Sequence, residues 1–319
     1  NVINFYYSKN TYSYTVNYLE EGTDKVLETA KTGTALYNES ITENAVAIEG
    51  YTVVGENAQS IVIDTENNVY LNCYLHENPP IAFEEKMDRP AVVVCPGGGY
   101  NHLSEREADP VAFEYLAKGY NAFVLYYSLK EAAVFPKPIV DLSQALKIIR
   151  ENAEEWHILK EKIAVCGFSA GGHLCASLGV HWNLPEVQEK SGCKNGENQP
   201  NALILCYPVI TTRSWMKPAL PRLIGDRDYA STEKLLDTSK NVGAHTPPTF
   251  LVHTFMDTAV SVEESMDFAR ALDNNNVPFE MHIYPRGGHG TATANYIVGC
   301  PYTEMAAWMK NSVRWMESI

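Results

Sequence analysis

The stretch IAVCGFSAGGHLCASL, Ile163 to Leu178, decides how this chain is read. It opens as an apolar strand-like run and continues as small and apolar residues with helical character, and Ser169 lies at the junction. Gly167 and Gly171 flank that serine in the pattern G-x-S-x-G, the spacing a strand needs to turn into a helix without side chains colliding. Such a turn strains the serine's dihedrals and leaves the Ala170 amide at a helix N-terminus, where developing negative charge is stabilised. The expectation is a nucleophilic serine at a strand end. The plainer alternative is a glycine-rich bend.

Working outward, the chain from about residue 68 to 319 alternates strand and helix. AVVVCPGGGY is an apolar strand running into glycines, and ADPVAFEYLAKGY follows with a helical apolar period. Ser104 and Glu107 are spaced as a capping box in front of that helix, and Arg106 and Glu107 are expected to cap it and hold the glycine loop rather than meet a substrate. NAFVLYYSL reads as the next strand and PIVDLSQALKIIRENAEEW as a long amphipathic helix entered through Pro136 and Pro138. After the serine turn come strands ALILCYPVI, PTFLVHT and FEMHIYP, a helix at VEESMDFARALDNNN and a last helix from about Thr303. This alternation predicts an α/β fold, a doubly wound and mostly parallel sheet with helices on both faces.

Residues 1–67 have a different texture, rich in Thr, Tyr, Val, Asn and Glu, and read as short antiparallel strands bounded by Gly and Asn turns. NVINFYYSKN at the start is echoed by NVYLNCYLHEN from Asn68, a hint of an internal repeat. The segments TVNYLEEGTDKVL and GYTVVGENAQSIVI resemble the small β-rich repeats of mucin-binding surface proteins of Gram-positive bacteria. A separate module is expected over 1–67, the alternative being an extension packed on the following domain.

The 319 residues carry a net charge of −14, which weighs against nucleic acid and anionic membranes as partners. No apolar run approaches the roughly 20 residues a membrane-spanning helix needs, so no membrane insertion is expected. The seven cysteines cannot all pair, and no Cys/His spacing suggests a metal site. Because the chain opens on Asn1 without a signal-peptide pattern, a piece of something longer is expected.

A serine hydroxyl is a poor nucleophile unless a histidine takes its proton and a carboxylate orients that histidine. Of the nine histidines, His289 in YPRGGHG follows the last strand, and Asp257 in LVHTFMDTAV follows the one before. The order Ser169, Asp257, His289 along three strand ends is the order used by this kind of sheet. CPGGGY supplies backbone amides after an early strand, so Gly98, Gly99 and Ala170 are the candidate oxyanion donors. Tyr100 and Trp215 are candidate surfaces for stacking a sugar ring, and Thr211–Leu236 is placed to cover the site. His173 is expected to pack rather than titrate.

From RPAVVVCPGGGY, GFSAGGHL, TPPTFLVHT, DTAV and YPRGGHG, the second domain resembles an α/β-hydrolase of the bacterial carbohydrate-esterase type, similar to acetyl-xylan esterases and feruloyl-esterase-like proteins. The resemblance implies Ser169 as nucleophile, Asp257 as orienting acid and His289 as base, with no metal or organic cofactor. Two positions depart from it. Pro96 stands where the lipase glycine loop starts with histidine, and Ser261 stands where relatives commonly show a proline.

The expected function is therefore a serine esterase acting on small acyl groups, acetyl foremost, of a plant polysaccharide or its oligosaccharides. A peptidase or amidase with the same triad order is one alternative, and a surface-binding protein with an idle hydrolase domain is another. The N-terminal strands would add cell-wall or glycan contact, or serve only as a spacer between cell wall and enzyme. An extracellular or cell-surface location is expected, with the cytoplasm as alternative, because several unpaired thiols sit uneasily with export.

Overall fold

RPAVVVC is apolar at nearly every position because the strand it forms, β6 (Arg89–Cys95), is covered on both faces. Ala91, Val93 and Cys95 belong to one apolar layer, and Val92 and Val94 to the other. The period of two in side-chain direction makes this division. The computed structural model describes residues 3–5, 11–19, 26–36, 58–76, 87–213 and 216–319. Two compact units divide between Ala58 and Gln59.

In the first unit, β1 (Ile3–Phe5), β2 (Thr11–Leu19) and β3 (Val26–Leu36) form an antiparallel sheet in the order β1-β2-β3. The start of GYTVVGENAQSIVI, through Asn57, lies outside the described residues. Its end does not stay with the first sheet. β4 (Ala58–Asp64) pairs beside β5 (Val69–Tyr74) at the edge of the large sheet. The boundary near residue 67 suggested by texture therefore falls within the second unit. The echo at Asn68 is β5 itself, whose Val69, Leu71 and Cys73 are buried in the large core.

The second unit is built on an eight-stranded sheet in the order β11-β10-β9-β8-β6-β7-β5-β4. Its remaining strands are β7 (Asn121–Tyr126), β8 (Ile158–Phe168), β9 (Ala202–Cys206), β10 (Thr249–Thr254) and β11 (Phe279–Tyr284). Every pairing from β7 through β11 is parallel, whereas β5 runs antiparallel to β7. α2 (Lys137–Glu151), α3 (Ala170–His181) and α7 (Glu263–Asn274) send Leu142, Leu146, Leu174, Leu178 and Phe268 into one layer. Between α3 and α7 the chain also forms the short helices α4 (Pro185–Ser191), α5 (Leu220–Ile224) and α6 (Tyr229–Leu236). α1 (Asp109–Leu116) and α8 (Thr303–Glu317) cover the other face with Val111, Tyr115 and Trp308. The doubly wound, mostly parallel α/β architecture expected from the strand–helix alternation is the one found.

This topology decides where a site can form. The chain leaves β6 through α1 on one face and returns to β8 through α2 on the other, so β6 and β8 lie side by side at a switch point. Cys95 pairs with Gly167, and the loops that follow these two residues emerge together beyond the carboxyl ends of the strands.

Candidate active site

The G-x-S-x-G turn is as tight as its glycines require. A Cβ on Gly171 would lie 2.0 Å from the Cys95 carbonyl oxygen, and one on Gly167 would lie 2.2 Å from the Gly171 carbonyl oxygen. Ser169 itself has φ 52 and ψ −115, a conformation that costs a non-glycine residue about 1–3 kcal/mol. Neighbouring backbone holds it there. Its amide donates to the Cys206 carbonyl at 3.1 Å, and its carbonyl accepts from His173 N at 3.0 Å and Val209 N at 3.1 Å.

The side chain of Ser169 meets a residue 120 positions away. His289 Nε2 lies 2.8 Å from Ser169 Oγ. On the other side of the ring, His289 Nδ1 lies 2.7 Å from Asp257 Oδ2. Asp257 Oδ1 accepts from the amides of Ala259 and Val260, both at 2.9 Å. Burial alone would raise the pKa of this carboxyl, but hydrogen bonds from His253, His289 and Val260 hold it well below the usual carboxylate range. An ionised Asp257 fixes the tautomer in which His289 Nδ1 carries hydrogen and Nε2 is free to take a proton.

Beside the serine, the loop after β6 turns its backbone inward. Gly98 (φ 126) and Gly99 (φ 67) take conformations that favour glycine. Among the described residues, the amides of Gly98, Gly99 and Ala170 have no acceptor, whereas the Gly97 amide donates to Glu107 Oε2 at 2.9 Å. Donors left free beside a serine–histidine pair suit a developing oxyanion. No cluster of three His, Cys, Asp or Glu residues that could hold a metal ion occurs among the described residues.

A family model described as BD-FAE matches residues 80–272. The chain belongs to the BD-FAE family, an esterase family of the α/β-hydrolase fold. The matched span contains Ser169 and Asp257 and ends before β11 and His289.

The BD-FAE chain is 36% identical over 234 residues to endo-1,4-beta-xylanase B of Butyrivibrio fibrisolvens, covering 70% of this chain and 35% of that protein. It is 29% identical over 235 residues to an acetylxylan esterase of Xylanibacter ruminicola, covering 72% of this chain and 45% of that one. It thus spans between a third and a half of these relatives' lengths. Among solved structures, an acetyl ester-xyloside bifunctional hydrolase from Caldicellulosiruptor lactoaceticus superposes with a TM-score of 0.67 at 33% identity, over 81% of this chain and 91% of that one.

Side chains distant in sequence brace the BD-FAE site. Tyr127 donates its hydroxyl to the Pro96 carbonyl at 2.6 Å, and Arg222 Nη2 donates to the Gly99 carbonyl at 3.0 Å. Arg222 lies on α5 (Leu220–Ile224), so the segment 211–236 does reach the rim of the glycine loop. Glu107 does not form the expected capping box, but it does hold the glycine loop as expected. Ser104 makes no side-chain cap, and the Glu107 carboxylate turns inward to Gly97 and to Tyr207, whose hydroxyl donates to Oε1 at 2.7 Å. The buried backbone amide had a stronger claim on the carboxylate than a solvated helix start.

Tyr100 is not a stacking surface. It is 3% exposed, its ring packs edge-on against Tyr127, and its hydroxyl bonds His173 Nδ1 at 2.8 Å. Its φ of 57 lies in the left-handed region, so the loop turns sharply at this residue. Trp215 lies outside the described residues. His173, 1% exposed with Nε2 on the Leu236 carbonyl at 2.8 Å, is a packing residue as expected.

Tyr207, Arg222 and His253 were not singled out from sequence. Tyr207 carried a signal, a polar aromatic at the carboxyl end of a central strand. His253, inside the apolar run of β10, carried none.

Proposed function

We propose that this chain is a serine esterase that removes small acyl groups, acetyl foremost, from a plant polysaccharide or its oligosaccharides. The observation that carries the reading is the continuous chain of contacts from Ser169 Oγ through His289 to Asp257, at 2.8 and 2.7 Å. The acetylxylan esterase and acetyl ester-xyloside hydrolase among the relatives support a carbohydrate acetyl ester as substrate.

In this reading Ser169 Oγ attacks the ester carbonyl as its proton passes to His289 Nε2. The amides of Gly98 or Gly99 and of Ala170 receive the oxyanion, and losing one such donor typically costs about 10²–10³ in rate. The imidazolium, paired with Asp257, returns its proton to the leaving sugar oxygen, and the acyl group remains on Ser169. A water molecule, deprotonated by His289, then releases the acid by the same route.

The test is acetate release from acetylated xylo-oligosaccharides and from an aryl acetate, using the wild type and Ser169→Ala. Turnover of both substrates by the wild type alone supports the reading in full. Cleavage of the aryl acetate without oligosaccharide turnover keeps the ester chemistry and overturns the substrate. Turnover by Ser169→Ala at the wild-type rate overturns the nucleophile.

A further inference from the structure

His253 is wholly buried in β10, and the mechanism above makes no use of it. A buried imidazole is expensive unless both ring nitrogens have partners. Its Nε2 lies 3.0 Å from the Val260 carbonyl and 3.6 Å from Asp257 Oδ2, and its Nδ1 lies 2.8 Å from Ser265 Oγ on α7. The carbonyl of Val260 only accepts, so Nε2 carries the hydrogen. Ser265 has no other acceptor for its hydroxyl among the described residues, so it donates to Nδ1.

With both nitrogens so occupied, the ring is the neutral Nε2–H tautomer. Its N–H edge faces the carboxylate that His289 also faces. Asp257 Oδ1 is tied to the amides of Ala259 and Val260. His253 ties the carbonyl of that same Val260. The turn is thus gripped at both ends of one residue, and the carboxylate is left with Oδ2 directed at His289. A cationic side chain here would compete with the imidazolium for the same negative charge. A neutral donor leaves that charge for His289.

We propose that His253 is a positioning residue of the relay, fixing the Asp257–Val260 turn through its Nε2–H so that Asp257 Oδ2 faces His289. The proposal rests on the serine-esterase reading, and its test separates the two. His253→Gln keeps a donor near the Nε2 position, and His253→Met keeps the volume without a donor. Ser265→Ala leaves the imidazole whole but frees its tautomer. One readout is turnover of an aryl acetate, divided into kcat and KM. The other needs no substrate: the far-downfield proton resonance of His289 Nδ1–H, identified by its loss in Asp257→Asn.

With a lost buried hydrogen bond weighed against the rate scale, His253→Met lowers kcat about 10- to 100-fold at nearly constant KM. It also broadens or removes the downfield resonance. His253→Gln recovers most of both, Ser265→Ala falls between, and all three stay folded at the assay temperature, His253→Met with a lowered melting temperature. Should His253→Met unfold outright, a loss of kcat and of the resonance in folded Ser265→Ala supports the proposal, and its full retention overturns it. A folded His253→Met with wild-type kcat and resonance overturns it as well. If the wild type shows the resonance yet cleaves no ester, the esterase reading has failed, and the resonance alone decides for or against His253.

Discussion

The Tyr207 hydroxyl donates to Glu107 Oε1 at 2.7 Å, and its own oxygen accepts from the Ala292 amide at 2.8 Å. Glu107 in turn receives the Gly97 amide, so one buried pair joins the glycine loop to the loop that carries His289. Burial and the adjacent carboxylate push the Tyr207 phenol up, which keeps it a donor at every working pH.

Tyr207→Phe removes the donor to Glu107 and the acceptor for Ala292 together. Leaving buried polar groups unpaired costs about 1–3 kcal/mol. We expect that loss in urea unfolding, with kcat/KM on an aryl acetate reduced about tenfold or more as the two loops lose register. Unchanged stability and turnover would show that the pair braces nothing.

Gly171→Ala tests the elbow. The added methyl would lie 2.0 Å from the Cys95 carbonyl oxygen, which is backbone and cannot swing aside. Forced overpacking of this kind costs about 1–3 kcal/mol or more, so a clear fall in melting temperature is expected. A variant that melts with the wild type would contradict the close approach of β6 to α3.

Ser169 holds a strained conformation for the sake of its hydroxyl. Ser169→Gly should end turnover while raising stability by about 1 kcal/mol, since glycine adopts such dihedrals without the steric cost. Equal or lower stability in the inactive variant would argue that the turn is unstrained.

The pH dependence of stability has a readable sign. Burial pushes His173 down to about 4 from 6.5, with the carbonyl of Leu236 and nearby Asp237 offsetting it only in part. The unfolded chain binds that proton near 6.5 and the folded chain does not, so the stability is complete above 6.5 and is lost as pH falls toward 4. The loss is on the order of 3 kcal/mol at the lower end of that window. His181 is lowered by burial too and adds to the same slope. Glu186, lowered to about 2 by Arg227, acts only below about 4.5. Urea unfolding at pH 7 and pH 5 should show a shallower difference in His173→Gln than in the wild type. An identical difference would remove His173 as a cause.

What could be read in advance was local or strictly periodic. The elbow announces itself because its glycines answer a constraint within five residues, and Asp257 and His289 follow from being next after strands. Glu107 is legible only in part and Tyr100 not at all, for the opposite reason. Glu107 does hold the glycine loop through the Gly97 amide, but the cap that its local pattern suggests is absent and its other partner, Tyr207, lies 100 residues away. Tyr100 fits the pattern of a loop aromatic, while its partner His173 lies 73 residues away. His253 was hidden in an apolar strand, since nothing in TFLVHT tells which helix hydroxyl it will meet. That hydroxyl, on Ser265, is only 12 residues on, but it meets the imidazole through the way the chain folds back from β10 into α7, which a strand pattern does not show.

The serine and the histidine hang from strands of unequal security. β8 is central, and its last six residues are buried, whereas β11 is the sheet's edge, with Phe279 and Ile283 more than a third exposed. Strands with little burial open first, well below the temperature at which the whole domain unfolds. Warmed gently, this molecule would lose His289 from the site while Ser169 stayed seated. On the proposed esterase reading, turnover would fade before the fold did, and cooling would bring it back.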